Sequence, residues 1–501
     1  MTPETLAEIK KTFDLDRFRG KTYGDFLIPD KGKNVADSRS SASLVTRFST
    51  HTKMNQPIVS ANMLDVTEHE MAITNALLGG LGIIHRFCPI DFQADEIRRT
   101  KRAQNFIIRE PYKVRPSVSV QEARNKMAAY KVGSLLVHDE NNRLLGMLTS
   151  RDVRFVNDLE VAENVMTRRK NLKVVLDNIK TLENATDKFK TKKIKKLPIV
   201  DKHNRIRGLI SAKDVLKLQQ YPLANLDHHG RLVVGAAIGT VGDYLERAQE
   251  LIRAGADVLV LDVTSCHSSL VETAIKNIHR KMSAELVAGN IGTSEQADFL
   301  IKLGVDGIKI GVGPGGACTT RMNTGMGVPQ LFAILEIYWN LIFKYNYPPA
   351  SIPPLCADGG IRRGADITHS LFAGADSVMI GTMFAATEET PGAVYPREDG
   401  NYKLFHGMAS TEALIARYEA EGRKDPISEA LRKGPEGMRR EVKVKGSAEK
   451  IIRDLTDGVR SAVTRRGCMT LQEAKDGFNP FDPVHGFHVL SQAAREESFN
   501  R

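Results

Sequence analysis

Eight short apolar runs, most of them separated by stretches of helical periodicity, limit what this chain can become. Pro57–Asn62 and Gly82–His85 come early; Leu232–Ile238, Val258–Val263, Leu286–Asn290, Gly307–Val312, Pro354–Asp358 and Ser377–Gly381 follow a long interval. Each is short and apolar at consecutive positions, so both of its faces must be covered. Between them, Tyr244–Ala254, Ser269–Ser283, Ser294–Leu303 and Ile367–Ala373 repeat apolar residues at helical spacing. Strands buried on both faces and joined through helices form parallel sheets. Eight of them close most economically into an α/β fold, the (β/α)8 TIM barrel. A doubly wound open sheet is the alternative, but no Gly-x-Gly-x-x-Gly follows an early strand, which weighs against its dinucleotide-binding form.

The chain of 501 residues has room for a second unit, and an internal repeat marks it. Val132–Asp139 and Gly146–Val153 recur as Ile194–Asp201 and Gly208–Val215. Each copy predicts helix, strand, polar turn, strand, helix, with turns at Asp139–Asn142 and Asp201–Asn204. The pair resembles the tandem CBS (cystathionine β-synthase) modules of a Bateman domain. That resemblance implies binding of regulatory purine nucleotides, with Thr149 and Asp152, and Ser211 and Asp214, gripping ribose. Helix capping is the other reading of both aspartates. The expected organisation is a first barrel part over 1–108, the paired module over 109–220, and a second barrel part over 221–501 with a mobile flap and C-terminal segment.

The net charge of +11 suits a phosphorylated small molecule as well as it suits a solvated basic surface. Lysine and arginine gather in Thr167–Lys173 and Lys190–Lys196 without interleaved aromatics, which excludes a dedicated nucleic-acid binder. Cys88, Cys266, Cys318, Cys356 and Cys468 are scattered and show no Cys-x-x-Cys spacing, so neither a disulfide framework nor a zinc site is expected. No apolar run approaches the roughly 20 residues that cross a bilayer. Met1–Lys11 has no apolar core, so a cytoplasmic protein without membrane contact is expected.

A barrel places its chemistry after the C-terminal ends of its strands. Those positions hold Asn62 and Met63, His85, Asp262, Asn290, Gly313–Arg321, Asp358–Gly360, and Gly381 with Thr382. The densest is Gly313-Pro314-Gly315-Gly316-Ala317-Cys318-Thr319-Thr320-Arg321. Its glycines let backbone approach a ligand, and a cysteine in a polar loop can serve as a thiolate nucleophile. From the pattern alone, a small buried filler is an equal reading of Cys318.

Gly313–Gln330 resembles the catalytic loop of the IMP dehydrogenase and GMP reductase family. Val287–Asn290, Cys356–Ile361, Val378–Gly381 and His406–Met408 match it too, and the family inserts a Bateman domain at this place. The resemblance implies that Cys318 attacks purine C2 to form a covalent nucleotide adduct, and that Thr320 helps in acid/base work. It implies substrate contacts from Asn62, Met63, Gly316, Asp358, Gly360, Gly381, Thr382, Gly407 and Met408, with Asp358 on the ribose. Asp262, Asn290 and Lys433 fall on the cofactor side, and the carbonyls of Gly313, Gly315 and Cys318 on a potassium ion. Strand-end turn formation is the alternative for Asp262 and Asn290. A homotetramer or octamer is implied as well.

Two activities share this adduct: oxidation of IMP with NAD, and reductive deamination of GMP to IMP with NADPH. Ala61-Asn62-Met63, Tyr402–Met408 with Phe405, and Thr324-Gly325 resemble the reductase branch. Aligning back from Lys445-Gly446 places Glu436 on the reductase's catalytic glutamate. Arg417-Tyr418 resembles the dehydrogenase's water-activating pair but comes too early, and is read as helix surface. The sequence departs from the family at Arg86, Cys266, Gly316 and Lys433. Reductase is thus the expected activity, dehydrogenase the alternative, and an inactive nucleotide-binding regulator the second.

Overall fold

A computed structural model describes residues 1–32, 38–103, 108, 111–130, 132–177, 182–192, 194–433 and 437–499. Side chains are described for these except at 39, 182–185, 192, 213–214, 217–218 and 498–499. The chain divides into two compact units: Met1–Ala103 with Leu223–Asp227 and Leu232–Arg501, and Gln104–Pro222 with His228–Arg231.

The first unit is the barrel. Its strands are β1 Ile58–Ser60, β2 Leu81–Ile84, β3 Val234–Ile238, β4 Val258–Asp262, β5 Glu285–Ile291, β6 Gly307–Ile310, β7 Leu355–Asp358 and β8 Ser377–Ile380. They close in chain order, β8 onto β1 and β2 onto β3, every pairing parallel. The open sheet is thereby excluded. Burial explains the apolar runs: all residues of β1, β2, β3, β4, β6 and β8 are buried. Helices follow where periodicity placed them, as at Tyr244–Ala254, whose C-terminus is closed by Gly255 in the left-handed region. Gly364–Ala373 begins three residues before its predicted start, because Asp366 accepts the Arg362 N–H and anchors the first turn.

Two additions frame the barrel. Phe26–Leu27 pairs antiparallel with His488–Val489, and Phe18, Phe26, Phe478 and Phe487 bury their rings beside this pairing. Beyond β8, Tyr395–Arg397, Gly400–His406 and Arg439–Lys443 form a three-stranded antiparallel sheet, with helices Thr411–Ala420 and Pro426–Arg432 between its last two strands.

The second unit contains the repeat. Ser134–His138 and Leu144–Thr149 pair as one hairpin, Lys196–Val200 and Ile206–Ser211 as the other. The turns are closed by the same hydrogen bonds: Asp139 accepts the N–H groups of Asn141 and Arg143, Asp201 those of His203 and Arg205. Asn142 and Asn204 take matched left-handed conformations. The copies join through Leu144 N–H to Asn204 and Ile206 N–H to Asn142, over a shared core of Leu136, Leu144, Met147, Val200, Ile206 and Leu209. One expectation fails. The second copy ends in a helix, Ala212–Gln220, but after Thr149 the first copy runs through turns instead. Arg124 reaches across to the carbonyls of Val153 and Val156, holding the segment in turns that a helix would require it to leave.

Candidate active site

A cavity of about 450 Å³ opens at the C-terminal mouth of the barrel. The loop after β6 forms one wall, Asp358–Ile361 after β7 and Ile380–Thr382 after β8 the next, and Gly407–Ala409 of the outer sheet the roof. Cys318 lies in this cavity half-buried, donating to Thr320 Oγ1 at 3.2 Å, while its N–H binds the Gly315 carbonyl at 3.1 Å. The other cysteines differ: burial pushes Cys88, Cys266 and Cys356 up to about 12, and Cys468 upward too. A thiol held protonated by burial is a poor nucleophile, and Cys318 differs from Cys88, Cys266 and Cys356 in lining the cavity.

The outer sheet clasps the Cys318 loop. Cys318 forms an antiparallel bridge with Gly437, Met438 N–H binds the Ala317 carbonyl at 3.1 Å, and Gly407 N–H binds Met438. A Cβ on Gly407 would fall 2.5 Å from the Ala317 carbonyl oxygen, and one on Gly437 2.8 Å from the Ser410 nitrogen. Two glycines therefore permit this backbone crossing. Glu436 lies outside the described residues.

Polar groups converge beneath the loop. Lys309 Nζ, on β6, lies 2.8 Å from Asp262 and 2.7 Å from Asp358, and Asn290 donates to the same Asp358 oxygen at 3.0 Å. Burial would raise the Asp262 carboxyl, but Lys309 more than offsets it and holds it below the usual range. Burial likewise opposes the Lys309 ammonium, yet the two carboxylates keep its pKa above that of an ordinary lysine. Sequence reasoning missed Lys309; its signal was a charge between Ile308 and Ile310 inside an apolar run. Asn290 Oδ1 is buried without a hydrogen-bond partner among the described residues, and the Asn62 side chain lies against Asp262. Unmatched buried groups are rare unless a ligand meets them. Asn62 lies behind the cavity wall, whereas Met63, Gly316, Asp358, Gly360, Gly381, Thr382, Gly407 and Met408 all line it.

Gly359 and Gly360 follow Asp358 with φ of +89° and +82°, a left-handed backbone that glycine adopts without strain, and both line the cavity. A Cβ on Gly316 would meet the Thr382 hydroxyl at 2.9 Å, so that hydroxyl fills the space a larger residue would need. Among the described residues, the carbonyls of Gly313 and Cys318 accept no hydrogen bond, and such oxygens suit a hard cation.

The far end of the cavity is cationic, with Arg86, Arg417 and Lys433 on its lining and Asp262 and Asn290 at its floor. Burial and the neighbouring Arg417 lower the Arg86 guanidinium; Glu421 lies 3.7 Å from its Nη1, and its Nε has no partner among the described residues. The Arg417-Tyr418 pair is not helix surface. Tyr418 is buried with Leu414 and Ala430, Arg423 stacks 3.9 Å from its ring, and Arg417 binds Glu421 at 2.7 Å. In the second unit, Asp152 accepts both the N–H and the hydroxyl of Thr149, and Ser211 is buried; the side chain of Asp214 lies outside the described residues.

Fold and site together define a barrel enzyme with a cysteine poised over a polar, ligand-sized cavity. A family model described as the IMP dehydrogenase / GMP reductase domain matches residues 20–500. Inosine-5'-monophosphate dehydrogenase of Nitrosopumilus maritimus is 39% identical, covering 91% of this chain and 94% of its own. GMP reductase of Leishmania major is 37% identical, covering 91% and 92%. The crystal structure of the C318A variant of GMP reductase from Trypanosoma brucei, in complex with guanosine 5'-monophosphate, matches with TM-score 0.84 and 35% identity, covering 95% and 96%. The chain belongs to the IMP dehydrogenase / GMP reductase family and is an oxidoreductase of that family. Its members use nicotinamide cofactors.

Proposed function

We propose that the chain is a GMP reductase, converting GMP and NADPH to IMP, ammonia and NADP⁺. The observation that carries this over IMP oxidation is the fate of Arg417 and Tyr418. The phenol is buried beneath Arg423 and the guanidinium is bound by Glu421, so the pair is not offered together to a water. The residue that instead crosses the nucleophile is Gly437, next in sequence to Glu436. Similarity to reductases from Leishmania and Trypanosoma supports the reading.

In this reading the purine stacks over the loop with its ribose on Asp358 and its phosphate on Gly360, Gly381 and Thr382. The Cys318 thiolate attacks C2; the amino group leaves as ammonia, protonated through Thr320 and Glu436, and a covalent thiopurine remains. A nicotinamide dinucleotide supplies the hydride that completes the reaction. The cationic end of the cavity and the orphan Arg86 nitrogen fit its phosphates, with Lys433 beside them and Asp262 and Asn290 at the ribose. Hydride at C2 then expels the thiolate, releasing IMP. The unpaired carbonyls of Gly313 and Cys318, with that of Gly315, would hold a potassium ion that orders the loop. The second unit is a tandem CBS module whose Thr149, Asp152, Ser211 and Asp214 take regulatory purine nucleotides, and the barrel assembles as a tetramer or octamer.

Arg417 on the cavity wall, and the dehydrogenases among the relatives, favour IMP dehydrogenase as the second reading. Purified protein is expected to oxidise NADPH with GMP and to release ammonia, and E436Q to lose ammonia release first. Reduction of NAD with IMP and inertness toward GMP would reverse the assignment.

A further inference from the structure

Lys309 has no role in the chemistry above, yet it is the most enclosed charge at the mouth of the barrel, 1% exposed. It stands in β6 opposite Gly289, where a Cβ would come within 2.4 Å of the lysine Cβ, so a glycine on the neighbouring strand makes its room. Its ammonium touches Asp262 on β4 and Asp358 on β7 at once, at 2.8 and 2.7 Å. Both strong donors to Asp358, Lys309 and Asn290, meet at Oδ2, leaving Oδ1 without a partner among the described residues. The carboxylate is thus fixed in rotation with one oxygen free for a hydroxyl pair. Without the ammonium, two carboxylates would face each other in a desolvated site, where like charges drive one to protonate or turn away.

We propose that Lys309 is a positioning residue that ties the mononucleotide half of the cavity to its dinucleotide half, orienting Asp358 and Asp262 through one shared ammonium. This rests on the reading of Asp358 as the carboxylate beneath the purine nucleotide's ribose. The lysine also lines the cavity, but its ammonium is committed to the two carboxylates, and through them it sets the charge and angle of the groups beneath the substrates. Filling one half therefore bears on the other through a single side chain.

The test is a charge cycle read by calorimetric binding of GMP to wild type, Lys309→Met, Lys309→Gln and each of these combined with Asp262→Asn. Losing the ammonium is expected to weaken GMP about tenfold or more. Adding Asp262→Asn removes the like charge facing Asp358 and is expected to recover at least about threefold of that loss. A packing defect would not be relieved by a second change on another strand. In turnover, KM for both substrates is expected to rise more than kcat falls, whereas a merely unstable protein loses kcat. Lys309→Gln keeps the reach and polarity of the side chain and carries the cycle if the methionine variant does not fold. GMP affinity unchanged in the single variants, or a loss deepened by Asp262→Asn, would overturn the assignment while leaving the reductase reading intact. Wild type that binds neither GMP nor IMP would sink the reductase reading and this assignment with it.

Discussion

At the scale of single residues, position rather than composition sets Cys318 apart as the proposed nucleophile. Five cysteines were visible in the sequence, and only the glycine-rich surroundings of Cys318 set one apart. The structure adds the physical contrast: Cys88, Cys266 and Cys356 are buried with thiols pushed up to about 12, whereas Cys318 faces the cavity beside Thr320. A mild alkylating reagent at neutral pH is therefore expected to label Cys318 first, Cys468 more slowly, and the three buried thiols only after unfolding. GMP should protect Cys318, and peptide mass spectrometry reads all five sites at once. Labelling of Cys356 or Cys266 ahead of Cys318 would contradict this burial pattern. Cys318→Ala is expected to lower turnover by at least about 10³-fold. The role of Lys309 and the burial of Tyr418, read from the sequence as helix surface, were missed for one reason: partners that come from other segments. Lys309 meets carboxylates from two other strands, and Tyr418 is covered partly from the helix Pro426–Arg432, so the charge inside an apolar run and the Arg-Tyr dipeptide did not by themselves show what each would pack against.

At the scale of elements, legibility followed burial. The eight barrel strands could be read because a strand covered on both faces must be apolar along its length, and all eight formed where the runs lay. The turn segment after Thr149 could not, since it is set by Arg124 reaching from the preceding helix. The outer sheet was legible only as a flap; besides its backbone bridge to the Cys318 loop, a His-Asp pair ties it to the barrel. Asp65, just after β1, accepts both the N–H and Nδ1 of His406 at 2.8 Å. The bond to Asp65 raises the His406 imidazole above its ordinary value although burial opposes it. A raised pKa means the folded state gains from the protonated ring. This support is full below about pH 6.5, the unfolded value, and drains away as pH climbs through the raised one. Hydrogen exchange in Gly400–His406 and Arg439–Lys443, corrected for the intrinsic rate, is expected to slow toward acid and quicken toward alkali. Asp65→Asn should flatten that dependence. A flat profile in the wild type would remove the tether from the account.

At the scale of the whole molecule, the two units have separate cores, and their stabilities should be separable. The core of Val120, Ala123, Leu135, Val137, Leu148 and Val153 draws only on the second unit. Phe487, fully buried, packs its ring 5.2 Å from Phe478 and 5.7 Å from Phe26, which join the two ends of the chain within the barrel unit. Truncating a buried phenylalanine costs about 3–5 kcal/mol and a buried leucine about 2–5 kcal/mol, because the cavity left behind closes only in part. Phe487→Ala is thus expected to lower the unfolding transition of the barrel while that of the second unit holds its place. Leu135→Ala should do the reverse. Calorimetric scans, with hydrogen exchange to assign each transition to its unit, distinguish the two. If either variant moved both transitions together, the units would have to share their stabilisation, and the second unit would be coupled to the barrel by folding itself.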